Sequence, residues 1–194
     1  VESGDVVVVK GKTVVPEEKK VYLAFNKPRG IVCTAEKREK NNVIDYLSYP
    51  VRIYPVGRLD KDSEGLLLMT NDGAIVNGIM RARNRHEKEY QVEINKEITP
   101  EFLKKMASGV PILDTVTRPC RIRKMGERSF TIILTQGLNR QIRRMCEALG
   151  YRVTKLKRVR IMNIHLKDLK TGEYRPLTEK ELAELKKQIG EEKR

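Results

Sequence analysis

The sequence lacks tryptophan, and aromatic side chains make up only 5% of its 194 residues. Stacking many single-stranded bases requires several such rings, so this composition argues against an extended stacking platform. Long apolar runs are also missing, since residues 6–9 and 66–69 are far shorter than the roughly 20 residues that span a bilayer. A membrane protein is therefore not predicted. No basic segment followed by an apolar one begins the sequence, so we expect no secretory signal and a cytoplasmic location.

Cysteine and histidine are scarce as well. Cys33, Cys120 and Cys146 are odd in number and widely spaced, without a Cys-x-x-Cys pair, and we interpret them as reduced thiols. His86 and His165 are far apart and lack the short spacing of a zinc site. We therefore expect neither a bound metal nor another cofactor.

Positive charge is abundant, with 40 Lys and Arg against 26 Asp and Glu, a net charge of +14. Half of this excess lies in residues 136–160, which hold eight basic residues and one acid. The basic residues are Arg140, Arg143, Arg144, Arg152, Lys155, Lys157, Arg158 and Arg160. This clustering predicts a surface that contacts the phosphates of a nucleic acid, with Arg140, Arg144 and Lys155 as candidates. A solvated face without a partner remains the alternative. Residues 81–85 form a second basic cluster.

The pattern of elements predicts an α+β fold. Strands are expected at residues 21–25, 66–70, 89–94, 129–135 and 152–160, with short helices between some of them. Because long helices do not alternate regularly with the strands, a mixed or antiparallel sheet with flanking helices is favoured over a doubly wound parallel sheet. Residues 1–15 are predicted to form two short strands joined by a glycine-containing turn, and residues 16–20 a linker.

Three helices have recognisable ends. Thr99 and Pro100 begin one helix, which Gly109 ends. Residues 139–149 form the second, with apolar side chains on one face and Arg140, Arg143 and Arg144 largely on the opposite side. The third begins with a capping box formed by Thr178 and Glu181.

An acidic segment precedes the predicted strand at 66–70. Asp60, Asp62 and Glu64 occupy alternate positions, as in the start of a calcium-binding loop. Calcium is rejected because Asn71 stands where such a loop needs a bidentate glutamate. The residues alone leave a structural aspartate that caps the turn and a functional Asp60 equally open.

Several motifs together resemble the RsuA/RluB/RluE/RluF family of ribosomal RNA pseudouridine synthases, and the RluF type most, with the RluB type next. Their order along the chain matches that family, and the resemblance spans nearly the whole sequence. The motifs are Asn26-Lys27-Pro28-Arg29-Gly30, Gly57-Arg58-Leu59-Asp60, Ser63-Glu64-Gly65-Leu66-Leu67, Glu87-Lys88-Glu89-Tyr90, Gln136-Gly137-Leu138-Asn139-Arg140, Asn139-Arg140-Gln141-Ile142-Arg143-Arg144-Met145, Lys157-Arg158-Val159-Arg160-Ile161 and Gly172-Glu173-Tyr174-Arg175-Pro176-Leu177. The resemblance implies the pseudouridine synthase catalytic fold for residues 21–194. It also implies that residues 1–20 are the remnant and linker of an N-terminal RNA-binding domain like that of a small-subunit ribosomal protein.

The resemblance also implies site residues. Asp60 matches the catalytic carboxylate, which acts as nucleophile or base, and Arg143 matches the residue that pairs with it. Tyr90 matches the aromatic ring that stacks on the target base and helps to remove a proton. Leu156 matches an apolar wall of the pocket, and Arg58 the side chain that fills the space left by a flipped base. Taken singly, Tyr90 is typical of a strand aromatic, Leu156 of a core leucine and Arg143 of a solvated helix charge. Asp62 and Glu64 are interpreted as turn acids.

The predicted function is isomerisation of a specific uridine in large-subunit (23S) ribosomal RNA to pseudouridine. A transfer RNA uridine or a small-subunit site remains open as a substrate, and we expect a monomer. The alternative from another class is a non-catalytic RNA-binding protein of ribosome assembly, which has the same positive charge but no need of Asp60 in that motif.

Overall fold

The computed structural model of this protein describes residues 7–9, 12–14 and 19–191, with side chains from 19 to 190. Its strands are β1 (Val7–Val9), β2 (Lys12–Val14), β3 (Tyr22–Lys27), β4 (Tyr54–Val56), β5 (Glu64–Thr70), β6 (Lys88–Ile94), β7 (Pro111–Ile112), β8 (Thr115–Val116), β9 (Arg121–Gly126), β10 (Ser129–Leu134), β11 (Val153–Ile161), β12 (Ile164–His165) and β13 (Tyr174–Pro176). Its helices are α1 (Val43–Leu47), α2 (Gly73–Arg81), α3 (Pro100–Ser108), α4 (Gln141–Ala148) and α5 (Glu179–Glu191).

A nine-stranded sheet organises the fold. Seven strands follow the order β13-β3-β5-β11-β6-β10-β9, while β12 pairs with β11 and β4 with β5. Strands β5 and β11 run parallel at the centre, and the other described pairs of this sheet are antiparallel. The sheet is therefore mixed, which confirms the predicted α+β class, and each of the five predicted strands overlaps an observed one.

Strand β5 is buried on both faces because its apolar run has no polar alternation. Leu66 and Leu68 point into a core that includes residues of α2 and α5, whereas Leu67 and Met69 point into a core on the other face. Because successive side chains of a strand point to opposite faces, an unbroken apolar run needs a core on each face of the sheet. A third core lies between the strands β6, β10 and β11 and the helices α3 and α4.

Glycine at position 65 lets β5 meet β11 closely. Its φ is 110°, and a Cβ there would lie 2.2 Å from the backbone oxygen of Arg158. Only glycine permits both this conformation and this approach. The acidic segment that precedes β5 is thereby held against β11.

The predicted helix ends are largely confirmed. The Thr99 hydroxyl accepts a hydrogen bond from the Phe102 amide at 3.0 Å, and Gly109 ends α3. The capping box of α5 is present, since the Thr178 amide donates to the Glu181 carboxylate and the Glu181 amide donates to the Thr178 hydroxyl.

Helix α4 departs from the prediction at one residue. Arg143, which the periodicity places largely on the cationic side, is only 8% exposed. Its guanidinium is covered because it donates to the backbone oxygen of Asp62 and to the hydroxyl of Ser63, at 3.0 and 3.2 Å. Periodicity fails here because a charged side chain can be buried when hydrogen bonds satisfy it.

The N-terminal strands β1 and β2 pair antiparallel, as predicted. Residues 1–6, the turn at 10–11 and residues 15–18, which include most of the predicted linker, lie outside the described residues, so the assignment of residues 1–20 to an accessory domain stays a prediction. Cys33, Cys120 and Cys146 are free. Within the described part of the chain, no helix is both long and apolar enough to cross a membrane.

Candidate active site

A cavity of about 510 Å³ opens between the acidic loop after β4, the start of α4 and the strands β6 and β11. Five of the predicted site residues line it: Arg58, Asp60, Tyr90, Arg140 and Leu156. These residues come from four separate parts of the chain, and the fold brings them to one surface.

Asp60 lies in the loop between β4 and β5, where its backbone oxygen accepts a hydrogen bond from the Ser63 amide at 3.0 Å. Its side chain is 36% exposed, so a ligand in the cavity can reach the carboxylate. The Asp60 Oδ2 atom lies 3.4 Å from Nη1 of Arg140, which forms its ion pair among the described residues. Asp60 therefore has an accessible carboxylate with a positive charge beside it.

Asp62 binds both arginines of α4 that face this loop. Its carboxylate accepts two hydrogen bonds from Arg140, at 3.1 and 3.0 Å, and lies 3.6 Å from Nη1 of Arg143. The hydrogen bond from Arg140 is the main reason that the pKa of Asp62 is lowered, and the same bond raises the pKa of Arg140. Asp62 is thus a site residue that the sequence interpretation left as a turn acid.

Arg143 contacts Asp62 and Ser63, whereas the ion pair of Asp60 comes from Arg140. Burial lowers the pKa of Arg143, and the charges of Asp62 and Asp60 oppose this shift. Arg143 therefore acts electrostatically on Asp60 while it fixes the adjacent backbone.

Tyr90 and Leu156 form the cavity wall on the adjacent strands β6 and β11. Leu156 is buried, and Tyr90 is half-buried against the same apolar core. A flat ring beside an aliphatic side chain makes a surface on which a planar base can stack. Arg58 is exposed at the rim, two residues before Asp60 in sequence.

The other two predicted phosphate contacts do not line this cavity. Arg144 turns back to Asn139, donating to its backbone and side-chain oxygens, both at 2.9 Å. Lys155 is exposed, 3.9 Å from Glu64, and lies at a smaller hollow with Gln91 and Lys157.

Lys27 holds the loop that contacts the acidic segment. It is fully buried, and its ammonium donates to the backbone oxygens of Pro28 and Ile31 at 2.9 and 2.7 Å. The adjacent Gly30 amide donates to the Lys61 backbone oxygen at 2.7 Å, which joins the two loops. Burial lowers the pKa of Lys27, and the charges of Cys33, Asp60, Asp62 and Glu64 oppose that shift.

Lys88 and Arg158 also line the cavity, and the sequence interpretation named neither as a site residue. Burial, with nearby arginines, lowers the pKa of Lys88 to about 8. The available signal was the position of Lys88 two residues before Tyr90, on the same face of a strand. In the described part of the chain, no group of three His, Cys, Asp or Glu side chains is placed to hold a metal ion.

The site thus offers an accessible carboxylate, a neighbouring guanidinium, a stacking wall and a basic rim. A positioned carboxylate can act as a nucleophile or as a general base. This arrangement can bind a planar base and place a carboxylate beside it.

Comparison with known proteins gives consistent matches. A family model described as RNA pseudouridylate synthase matches residues 21–148. The dual-specificity RNA pseudouridine synthase RluF of Salmonella typhi is 53% identical over 191 residues, which are 97% of this chain and 66% of that protein. This chain therefore spans slightly less than two thirds of that relative.

Two further matches have a lower identity. The ribosomal large subunit pseudouridine synthase B of Bacillus subtilis (strain 168) is 36% identical over 194 residues, covering 96% of this chain and 79% of that protein. A crystal structure described as that of a pseudouridylate synthase has a TM-score of 0.79 and 28% sequence identity, over 95% of this chain and 82% of that chain.

Proposed function

We propose that this chain, which belongs to the RNA pseudouridylate synthase family, isomerises a specific uridine of large-subunit (23S) ribosomal RNA to pseudouridine, with Asp60 as the catalytic carboxylate. Membership of the family confirms the resemblance drawn from the motifs. The observation that carries the proposal is the accessible Asp60 carboxylate, paired with Arg140 at 3.4 Å in the cavity that Tyr90 and Leu156 also line. A transfer RNA uridine is a second candidate substrate, and the dual-specificity name of the Salmonella relative is in keeping with more than one RNA substrate.

The reaction rearranges bonds without changing composition. The bond between the ribose and N1 of uracil breaks, the base turns in the cavity, and C5 bonds to the ribose in its place. The proton of C5 then leaves, and N1 gains one. Since substrate and product are isomers, the overall change consumes no oxidant or reductant.

Each residue of the site has a proposed part in these steps. Asp60 acts at the sugar as nucleophile or base, while Arg140 and Arg143 place positive charge beside it. The ring of Tyr90 stacks on the uracil, and its hydroxyl helps to remove the C5 proton. Leu156 forms the apolar wall beneath the base.

Access to the base requires that it leave its helical stack, at a cost of a few kcal/mol unless it is already unpaired. Arg58, exposed at the cavity rim, fills the space that the base leaves. Arg140, Arg144 and Lys155 contact phosphates around this point. The proposed enzyme acts as a cytoplasmic monomer.

The decisive experiment measures tritium release from RNA labelled at C5 of uracil. Large-subunit RNA, small-subunit RNA and transfer RNA are each incubated with the unmodified chain, with Asp60→Asn and with the control Asp168→Asn, an exposed aspartate outside the cavity. We expect release from large-subunit RNA by the unmodified chain and the control, and none by Asp60→Asn.

RNA binding separates catalysis from recognition in the same set of variants. Asp60→Asn should bind RNA with nearly the affinity of the unmodified chain. An equal loss of binding would contradict the catalytic assignment. Tight binding by all three proteins without release from any RNA would favour the alternative, a non-catalytic protein of ribosome assembly.

A further inference from the structure

Four basic residues meet beside the cavity, and we call them the Lys88 cluster: Arg83, Lys88, Arg118 and Arg158. Lys88 and Arg158 lie on neighbouring strands, Arg83 follows α2, and Arg118 precedes β9. Lys88, Arg83 and Arg158 line the cavity, and the charges of all three arginines act on Lys88. The fold thus places three cations from three segments on the cavity wall, and the charge of Arg118 also acts on Lys88.

No carboxylate forms a salt bridge with any member of the Lys88 cluster among the side chains described at 19–190. Their hydrogen bonds go to neutral backbone oxygens. Lys88 donates to Arg83 at 2.7 Å, Arg118 to Asn84 at 2.5 Å, and Arg158 to Leu66 at 2.9 Å. The cluster therefore carries positive charge that the protein does not neutralise.

The acidic residues near the cluster form ion pairs with arginines outside it. Glu87 also borders the cavity, but Arg121 and Arg160 bind its carboxylate. Glu89, on the opposite face of β6, is bound by Arg160 at 3.0 Å. Asp60 borders the same cavity and pairs with Arg140. His86 borders the cavity too.

Burial and the nearby positive charges both lower the pKa of Lys88. Burial is the first cause that lowers its pKa to about 8, and the charges of Arg158, Arg83 and Arg118 add to the shift. An ammonium has three donors, and its described hydrogen bond uses one. A buried charge without a counterion is costly, so a bound anion would relieve the repulsion and use the remaining donors.

We propose that the Lys88 cluster binds a backbone phosphate of the RNA next to the target uridine, with Lys88 as the residue that contacts it. This inference rests on the proposed function, because the cluster opens into the cavity in which the uracil would bind. A nucleotide inserted there brings its own phosphate to the wall. Gly137 borders the same space, because a Cβ at this position would lie in van der Waals contact with the Lys88 Nζ atom, 3.6 Å away.

The first test is the pH dependence of RNA binding between pH 6.5 and about 9.5, a range set by the pKa of Lys88 near 8. All variants carry Asp60→Asn so that the RNA stays unconverted. Binding by the chain with Lys88 should weaken as pH rises through 8. Lys88→Arg should keep the affinity and lose this pH dependence, because arginine stays charged. Lys88→Gln should bind about tenfold more weakly at pH 7 without that dependence.

The control is Lys104→Gln, which removes the same charge from an exposed position of α3 outside the cavity. It should keep the pH dependence. Thermal unfolding of every variant checks that the fold is retained, and Lys88→Arg keeps the test valid if Lys88→Gln does not fold. An unchanged pH profile in Lys88→Arg would overturn the proposal.

The second test identifies the phosphate. Single methylphosphonate linkages, which are neutral, replace the phosphates around the uridine one at a time. At one position, the neutral linkage should lower the RNA affinity of the chain with Lys88 about tenfold. The same linkage should not lower the affinity of Lys88→Gln any further. If no position behaves this way while inorganic phosphate alone protects Lys88 from acetylation by acetic anhydride, the site takes a free anion and the proposal for RNA is wrong.

These binding tests do not depend on turnover. If the chain releases no tritium from any RNA, the proposed isomerisation fails, yet the pH dependence and the methylphosphonate scan still report on the cluster. Conversely, normal turnover with neither effect would overturn only the proposal for the Lys88 cluster.

Discussion

Asp62 accepts a hydrogen bond from Arg140 at each of its carboxylate oxygens, at 3.1 and 3.0 Å, although the two residues are 78 positions apart. The same guanidinium lies 3.4 Å from Asp60, so one arginine is shared between two carboxylates. Arg140 has a left-handed backbone at the start of α4, with φ at 49°. This rare conformation for a residue with a side chain fits a position held by tertiary contacts.

Removing the charge of Asp62 should slow the reaction more than it weakens binding. In Asp62→Asn, Arg140 loses its bidentate ionic partner and is left with Asp60, so the attraction between the two draws Arg140 onto the proposed catalytic carboxylate. We expect the single-turnover rate to fall about tenfold, equivalent to about 1.4 kcal/mol. The measurement is tritium release with enzyme in excess over RNA.

The matched variant is Asp62→Glu, which keeps the charge and should recover most of the rate. Affinity for RNA, measured in parallel, should change less than the rate in both variants. An unchanged single-turnover rate in Asp62→Asn would show that Asp62 does not position Arg140.

The ring and the hydroxyl of Tyr90 should make separable contributions to binding and to proton removal. Tyr90→Phe keeps the stacking surface but removes the proposed proton acceptor, so loss of the C5 proton becomes slower. We therefore expect a larger kinetic isotope effect with 5-deuterated uridine in Tyr90→Phe than in the unmodified chain, with similar RNA affinity. Tyr90→Leu should also weaken binding. Equal isotope effects would assign proton removal to another group.

Salt dependence should separate phosphate contacts from other charges. Arg140→Gln and Lys155→Gln should each weaken RNA binding and reduce the slope of log K against log salt by about 1. The same loss of charge in Lys104→Gln, on an exposed face of α3, should leave the slope nearly unchanged. Because Lys155 lies outside the cavity, an effect confined to Arg140 would limit the phosphate contacts to the cavity rim.

Glu181 should make the free energy of unfolding depend on pH in the acidic range. The hydrogen bonds from Arg175 are the main cause that lowers its pKa from 4.5 to about 2. Because the folded pKa is the lower one, this stabilisation is present above about pH 4.5 and is lost as pH falls towards 2. The shift corresponds to about 3 kcal/mol, and the side chain is only 10% exposed.

The measurement is urea unfolding of Glu181→Gln at pH 7 and pH 3. The variant should be less stable by about 3 kcal/mol at pH 7, and the difference should be about halved at pH 3. The control Glu184→Gln, at an exposed position of the same helix, should show little difference at either pH. A difference that does not change with pH would mean that the charge of Glu181 adds nothing to stability.

The local features of the fold were predictable because they depend on near neighbours in sequence. Thr99 with Gly109, and Thr178 with Glu181, mark helix ends through hydrogen bonds that span one turn. The apolar run at 66–69 predicts a strand for the same reason. The motif around Asp60 likewise identified the family, although the residues alone left its role open.

The pairing of charges was decided by the tertiary structure. Periodicity placed Arg143 on a cationic side, but the loop before β5 covers it, and Asp62 became its partner although the sequence suggested only a turn acid. The Lys88 cluster joins residues from four segments, none of which shows by itself that a carboxylate is missing. Composition and local pattern thus determined the class of fold, the basic character and the motif that contains the proposed catalytic carboxylate. Which charges face each other depends on contacts between residues distant in sequence, and those are set only when the strands β5, β6 and β11 come together in one sheet.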